Sequence, residues 1–144
     1  MLYVDTSVLV SALTNETATD RAQHFLSSAD PEELAISAWV ITEFSSALSI
    51  KLRTNQIELE QRNTVLAGFR RLVADSFDVL SVDTTHFTTA ARFSDQYALG
   101  LRAGDALHLA IAVEHGATLV SLDKRLVEAG AVLGTATLLL QIVR

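Results

Sequence analysis

The chain contains no cysteine. A disulfide framework and a thiolate metal site are therefore both excluded, and any bound metal must be held by oxygen or imidazole ligands, which makes hard cations such as Mg2+ or Mn2+ the default. Proline occurs once, as Pro31 after Asp30, and glycine six times. Pro31 marks a loop, and Gly100, Gly104, Gly116, Gly130 and Gly134 fall near the ends of predicted elements. An excess of positive charge is also missing: Lys and Arg number 11 against 17 Asp and Glu, a formal net charge of -6. Coating nucleic acid non-specifically needs a cationic surface, so this balance argues against such a role while leaving room for an enzyme that meets RNA through one metal-filled cleft. Long apolar runs are absent as well. The start, Met1-Leu2-Tyr3-Val4-Asp5, has no basic segment, and Leu138-Leu139-Leu140 is interrupted by Gln141. Neither a signal peptide nor a transmembrane helix is expected, and the expected location is cytoplasmic with no membrane contact.

What is present is a large apolar fraction. With 144 residues, 49% hydrophobic content and a mean hydropathy of +0.31, the chain fits one domain over residues 1–144 with a sizeable core. Short β-branched runs alternate with longer helical patterns. Leu2 to Val4, Leu34 to Ile36, Asp78 to Val82 and Thr118 to Leu122 read as buried strands, with a weaker fifth at Leu138 to Val143. Helical periodicity runs through Val40, Phe44, Leu48 and Leu52, through Val65, Phe69, Leu72 and Val73, and through Leu107, Ala110, Ile111 and Glu114. Such alternation predicts an α/β fold: a central parallel sheet of four to five strands covered by helices on both faces, with right-handed crossovers.

Four acids stand where an apolar stretch meets a turn or a helix: Asp5, Glu43, Asp105 and Asp123. A carboxylate at the end of a buried strand is costly to desolvate, and several converging on one side of a sheet are made tolerable most simply by a divalent cation. Open parallel sheets collect ligands at the carboxyl ends of their strands. Asp5 and Asp123 can share one ion only if their strands are neighbours, roughly 4.8 Å apart; if the third strand lies at the edge, Asp83 starts about 10 Å away and serves as a helix N-cap. Glu43 lies on the flank of the Val40, Phe44, Leu48 stripe, and Asp105 opens an unusually apolar helix. Each also has a plain structural reading, Glu43 as a solvated helix residue and Asp105 as an N-cap.

The segments Tyr3-Val4-Asp5-Thr6-Ser7, Ser37 with Thr42-Glu43, Arg102-Ala103-Gly104-Asp105-Ala106-Leu107-His108-Leu109-Ala110, and Leu119-Val120-Ser121-Leu122-Asp123 together resemble PIN-domain ribonucleases, in particular the VapC toxins of bacterial toxin-antitoxin pairs. The resemblance spans nearly the whole chain. It implies a three-layer α/β/α sandwich and a site in which Asp5, Glu43, Asp105 and Asp123 hold Mg2+ or Mn2+, with Asp5 and Asp105 in direct contact and Glu43 and Asp123 direct or through water. The polar residue two positions before the last acid, often Thr in the family, is Ser121 here. Arg102 is a candidate phosphate contact. Thr6 and Ser7 can orient a water or a carboxylate, although capping of the helix start is the expectation from residue type. His108 is expected to be a packed, hydrogen-bonded histidine, and Trp39 and Phe44 are expected in the core.

The implied activity is metal-dependent hydrolysis of RNA, with an antitoxin and a second copy of the chain as partners. A haloacid-dehalogenase-type phosphatase would need a second acid two residues after Asp5, where Ser7 stands. A receiver-type signalling domain would have one helix per crossover instead of pairs. A degenerate, partner-binding PIN domain would be expected to have lost at least one of the four acids.

Overall fold

The computed structural model describes residues 1–141. Five parallel strands, β1 (Leu2–Val4), β2 (Leu34–Ser37), β3 (Asp78–Leu80), β4 (Thr118–Ser121) and β5 (Thr137–Leu139), form one sheet in the order β3-β2-β1-β4-β5. The central strands are almost entirely buried: Tyr3, Val4, Ile36, Leu119 and Val120 are each fully inaccessible to solvent. That is the pattern of a parallel sheet covered on both faces, where strands lose the polar alternation of half-exposed ones. β1 to β2 to β3 builds in one direction, and the β3 to β4 connection returns past β1 before β5 continues outward. Right-handed crossovers in opposed directions carry helices onto opposite faces. The result is the three-layer α/β/α arrangement expected from the sequence.

Among the described residues, seven α-helices fill the layers. Helices α1 (Thr6–Leu13) and α2 (Thr19–Ser28) link β1 to β2; α3 (Ala38–Arg53) and α4 (Leu59–Ser76) link β2 to β3; α5 (Thr84–Asp95) and α6 (Ala103–Glu114) link β3 to β4; α7 (Lys124–Val132) precedes β5. Helix α1 packs against α2, α3 and α4, and α5 runs along α6. The periodic residues do what their spacing predicts: Val40, Phe44 and Leu48 of α3 are fully buried, and Phe44 stacks on Phe69 of α4 with ring centroids 3.9 Å apart. Among the described residues no helix is long and apolar enough to cross a membrane.

Strand ends depart from the sequence expectation. Asp78 to Val82 shortens to Asp78–Leu80, because Ser81 to Asp83 leave the ladder to approach α5. The last strand starts one residue earlier than expected, at Thr137, and ends at Leu139; the Ile142 and Val143 part of the expected strand lies outside the described residues.

Candidate functional site

The reversal of build direction falls between β1 and β4, whose registers align Val4 with Val120. The Asp5 amide extends that ladder by donating to the Val120 carbonyl at 3.0 Å. Asp5 and Asp123 therefore follow adjacent strands at the point where open α/β sheets form a crevice.

Asp5 is only 4% exposed, and hydroxyls bracket its carboxylate. Ser7 donates to Oδ1 at 2.6 Å, and Ser121 donates to Oδ2 at 2.6 Å. Ser121 Oγ in turn accepts the Asp123 amide at 2.9 Å, and Ser7 Oγ accepts the Leu122 amide at 3.3 Å. Capping of the helix start by Thr6 and Ser7, expected from residue type, is not what the geometry gives. Both hydroxyls hold carboxylates, Thr6 donating to Glu43 Oε1 at 2.6 Å. Each hydroxyl donates to a carboxylate, a charge-assisted bond stronger than the one its oxygen would accept from a free amide of α1.

Glu43 projects from α3 and is half-buried. Besides Thr6, its Oε1 meets His108 Nε2, so the solvated alternative does not apply. Its other oxygen, Oε2, lies over Gly104, where an added Cβ would stand 3.1 Å from it. The expected packed histidine is correct as far as it goes, since His108 is 2% exposed. What residue-by-residue reading missed is that its bonds run to an acid of the site. The i, i+3 spacing from Asp105 put His108 on the same face of α6, but nothing in it pointed to Glu43, 65 residues away.

Asp105 is the third residue of α6, not its N-cap; Arg102 occupies the cap position. The acid is partly buried and benefits only from the favourable field of the helix start. Asp123 is exposed and does cap α7, its Oδ1 accepting the Arg125 amide at 3.0 Å and the Leu126 amide at 3.4 Å. Glu43, Asp105 and Asp123 line one cleft of about 500 Å3 together with Trp39, Gly100, Arg102, Gly104 and Arg125. Trp39, expected in the core, packs against it but also faces this cleft, and its indole Nε1 is buried without a partner. Arg125 was not singled out from sequence, because a basic residue in the first turn of a helix is ordinary.

Burial raises the Asp5 carboxyl above its ordinary range, against the opposing pull of His108, Ser121 and Ser7. Burial likewise raises Asp105, and the charges of Asp123, Asp5 and Glu43 add to the effect. Glu43 goes the other way: burial pushes it up, but the hydrogen bond and charge of His108 and the Thr6 hydroxyl bring it below the usual range. No Lys or Arg among the described residues forms an ion pair with any of these four acids. Mutually repelling carboxylates with no Lys or Arg paired to them fit a divalent cation. No three of the four bring ligand atoms within 4.8 Å of one another among the described residues, so the donor set suits a cation that contacts one or two carboxylates and keeps several waters, as Mg2+ does.

One acid–histidine group does meet within 4.8 Å: Asp83, His86 and Glu114. Glu114 is nine residues beyond Asp105 on α6, about 13 Å along the helix axis. As expected, Asp83 caps a helix, accepting the Thr85 amide at 3.1 Å, while its own amide donates to His86 Nδ1 at 3.0 Å. The opposite nitrogen, Nε2, contacts Glu114. The group ties α5 to α6.

No curated protein is detectably similar to the chain in sequence. Solved structures are. FitAcB from Neisseria gonorrhoeae superposes with a TM-score of 0.76 at 19% identity, over 95% of this chain and 96% of that one. Mycobacterium tuberculosis VapC20, a sarcin-ricin loop cleaving toxin, gives a TM-score of 0.73 at 17% identity over 90% and 95%. VapBC2 from Rickettsia felis, bound to a DNA fragment from its promoter, gives 0.73 at 18% over 98% and 100%. The family model for the PIN domain matches residues 2–132, and with the acids gathered at the β1–β4 crevice the chain belongs to the PIN domain family.

Proposed function

We propose that the chain is a single-domain Mg2+- or Mn2+-dependent endoribonuclease of the VapC toxin type, held in check by an antitoxin and acting in the cytoplasm as a homodimer. The observation that carries the reading is Asp5: a buried carboxylate at the sheet's crevice, bracketed by two hydroxyls, with no Lys or Arg paired to it. Fold neighbours that include a toxin described as cleaving the sarcin-ricin loop support the choice of RNA. Neighbours described as VapBC and toxin-antitoxin complexes support an antitoxin partner.

In this reading Asp5 and Asp105 contact the cation, and Glu43 and Asp123 contact it directly or through water. The ion supplies a water acidified toward hydroxide and charge stabilisation for the phosphodiester. Ser7 and Ser121 hold the Asp5 oxygens, and Thr6 holds Glu43. Arg102 and Arg125 flank the cleft, where guanidinium groups suit phosphate oxygens on either side of the scissile bond. A larger hollow of about 1310 Å3, lined in part by Thr6, Ser7, Lys51, Lys124 and Asp123, shares Asp123 with the cleft. It offers a continuing path for an extended strand, which a phosphomonoesterase would not need.

The test is incubation of the purified protein with total cellular RNA and with small phosphomonoesters, in EDTA and in Mg2+ or Mn2+. Internal cuts in RNA that require the metal, with no phosphate released from monoesters, are expected. Phosphate release would favour a phosphohydrolase, and a folded, metal-loaded protein inert toward both would favour a partner-binding PIN domain.

A further inference from the structure

Behind the acids runs a chain of buried polar side chains. Ser37 Oγ and Tyr3 Oη lie 2.8 Å apart, Tyr3 Oη and His108 Nδ1 lie 2.7 Å apart, and His108 Nε2 meets Glu43 Oε1. Ser37 and Tyr3 are fully buried and His108 nearly so. Ser37 occupies the N-cap position of α3 yet makes no capping bond, its hydroxyl being committed to Tyr3. Burial of a phenol and a hydroxyl is tolerated only when both are bonded. Only the last bond has a fixed direction: a carboxylate accepts, so Nε2 carries the hydrogen to Glu43, while Nδ1 accepts from Tyr3 in a neutral ring and donates to Tyr3 in a charged one.

The consequence falls on Glu43. Its Oε1 is occupied twice, by His108 and by Thr6 at 2.6 Å. Oε2 is left over Gly104, beside Asp105, and the absence of a side chain at Gly104 is what admits it. We propose that His108 and Tyr3 are positioning residues of the cation site, a Ser37–Tyr3–His108 chain that fixes the imidazole and thereby turns Glu43 Oε2 toward the Asp105 side of the cleft. The proposal rests on the metal reading above. Partners that orient a ligand in this way are worth 10- to 100-fold in metal affinity, on the order of the loss expected here.

The experiment measures Mn2+ affinity by electron paramagnetic resonance of free Mn2+, which needs no turnover, for wild type, Glu43→Gln, His108→Leu, His108→Gln and Tyr3→Phe. His108→Leu should weaken binding about 10- to 100-fold, and Tyr3→Phe should weaken it several-fold. His108→Gln, whose amide can donate to Oε1 from nearly the place of Nε2, should recover most of the affinity, whereas a merely space-filling role would be met better by Leu. Folding of each variant is read by circular dichroism. If His108→Leu does not fold, Tyr3→Phe decides, since removing one oxygen leaves no large void. Wild-type affinity in folded His108→Leu or in Tyr3→Phe, or Gln no better than Leu, overturns the positioning role while leaving the metal reading standing. If wild type takes up no Mn2+, or Glu43→Gln binds as wild type does, the metal reading itself fails and the role of His108 with it.

Discussion

The hydroxyl of Ser121 donates to Asp5 Oδ2 at 2.6 Å across the β1–β4 seam. Because Ser121 Oγ also accepts the Asp123 amide, a single small side chain couples the position of the buried acid to the turn that carries the exposed one. Ser121→Ala removes both bonds and leaves a buried oxygen of Asp5 without its donor, costing about 1 to 3 kcal/mol. Ser121→Thr retains the hydroxyl and should preserve activity if the extra methyl fits. The check is thermal stability alongside RNA cleavage: a stable, fully active Ser121→Ala would remove Ser121 from the site.

Asp5→Asn, Glu43→Gln, Asp105→Asn and Asp123→Asn should each reduce cleavage at limiting metal by at least 100-fold, on the order of what loss of a charged ligand does to affinity and polarisation together. Asp83→Asn should leave it within about three-fold, because an Asn cap retains most of the capping bond. Initial rates across a Mg2+ titration decide, and wild-type cleavage by the Asp5 or Asp105 variant would sink the assignment.

Gly130 is a packing position unrelated to chemistry. A Cβ there would lie 2.7 Å from Thr137 Cγ2 and 2.9 Å from Leu109 Cδ2, closer than any relaxed contact. Gly130→Ala should destabilise by about 1 to 3 kcal/mol through overpacking. Gly68, with nothing within 4 Å of the same added atom, sits inside α4, so Gly68→Ala should stabilise by roughly 0.5 to 1 kcal/mol. Paired urea melts would contradict the packing described if the two signs were reversed.

The metal-free protein should lose stability as pH rises. Asp105 titrates above its ordinary value in the folded chain, so between that value and the raised one the folded state binds more protons than the unfolded state. Stability then falls with increasing pH across that window. Glu43, held below its ordinary value, contributes in the opposite sense and at lower pH. In EDTA, Asp105→Asn should therefore melt at a higher temperature than wild type near neutral pH, and the gap should close as pH falls toward the ordinary carboxylate value. A gap that stayed constant with pH would mean that burial and the neighbouring acids do not raise the Asp105 carboxyl in the folded chain.

The architecture was legible because a buried parallel sheet writes itself as continuous apolar runs. The capping role of Asp83 was legible from its residue type before a helix, and the edge position of β3 on which its distance from the site depends came only with the strand order. Less legible were the partners of each acid. Thr6 and Ser7 have side chains that cap helices in most settings, and only the proximity of Glu43 and Asp5, 37 and two residues away, redirected them. His108 sits in an apolar run that hides its polar contacts, since Tyr3 and Glu43 lie 105 and 65 residues off. Strand ends failed for a related reason: Val82 is apolar enough to extend β3, but the chain must turn early for Asp83 to start α5.

The most direct test of the central claim is where a divalent cation sits. Crystals soaked in Mn2+ should give an anomalous peak within about 2.1 Å, the distance Mg2+ keeps to oxygen, of an Asp5 or Asp105 carboxylate oxygen. That peak should vanish in Asp105→Asn. A peak confined to Asp83, His86 and Glu114, with none at the β1–β4 crevice, would contradict the account.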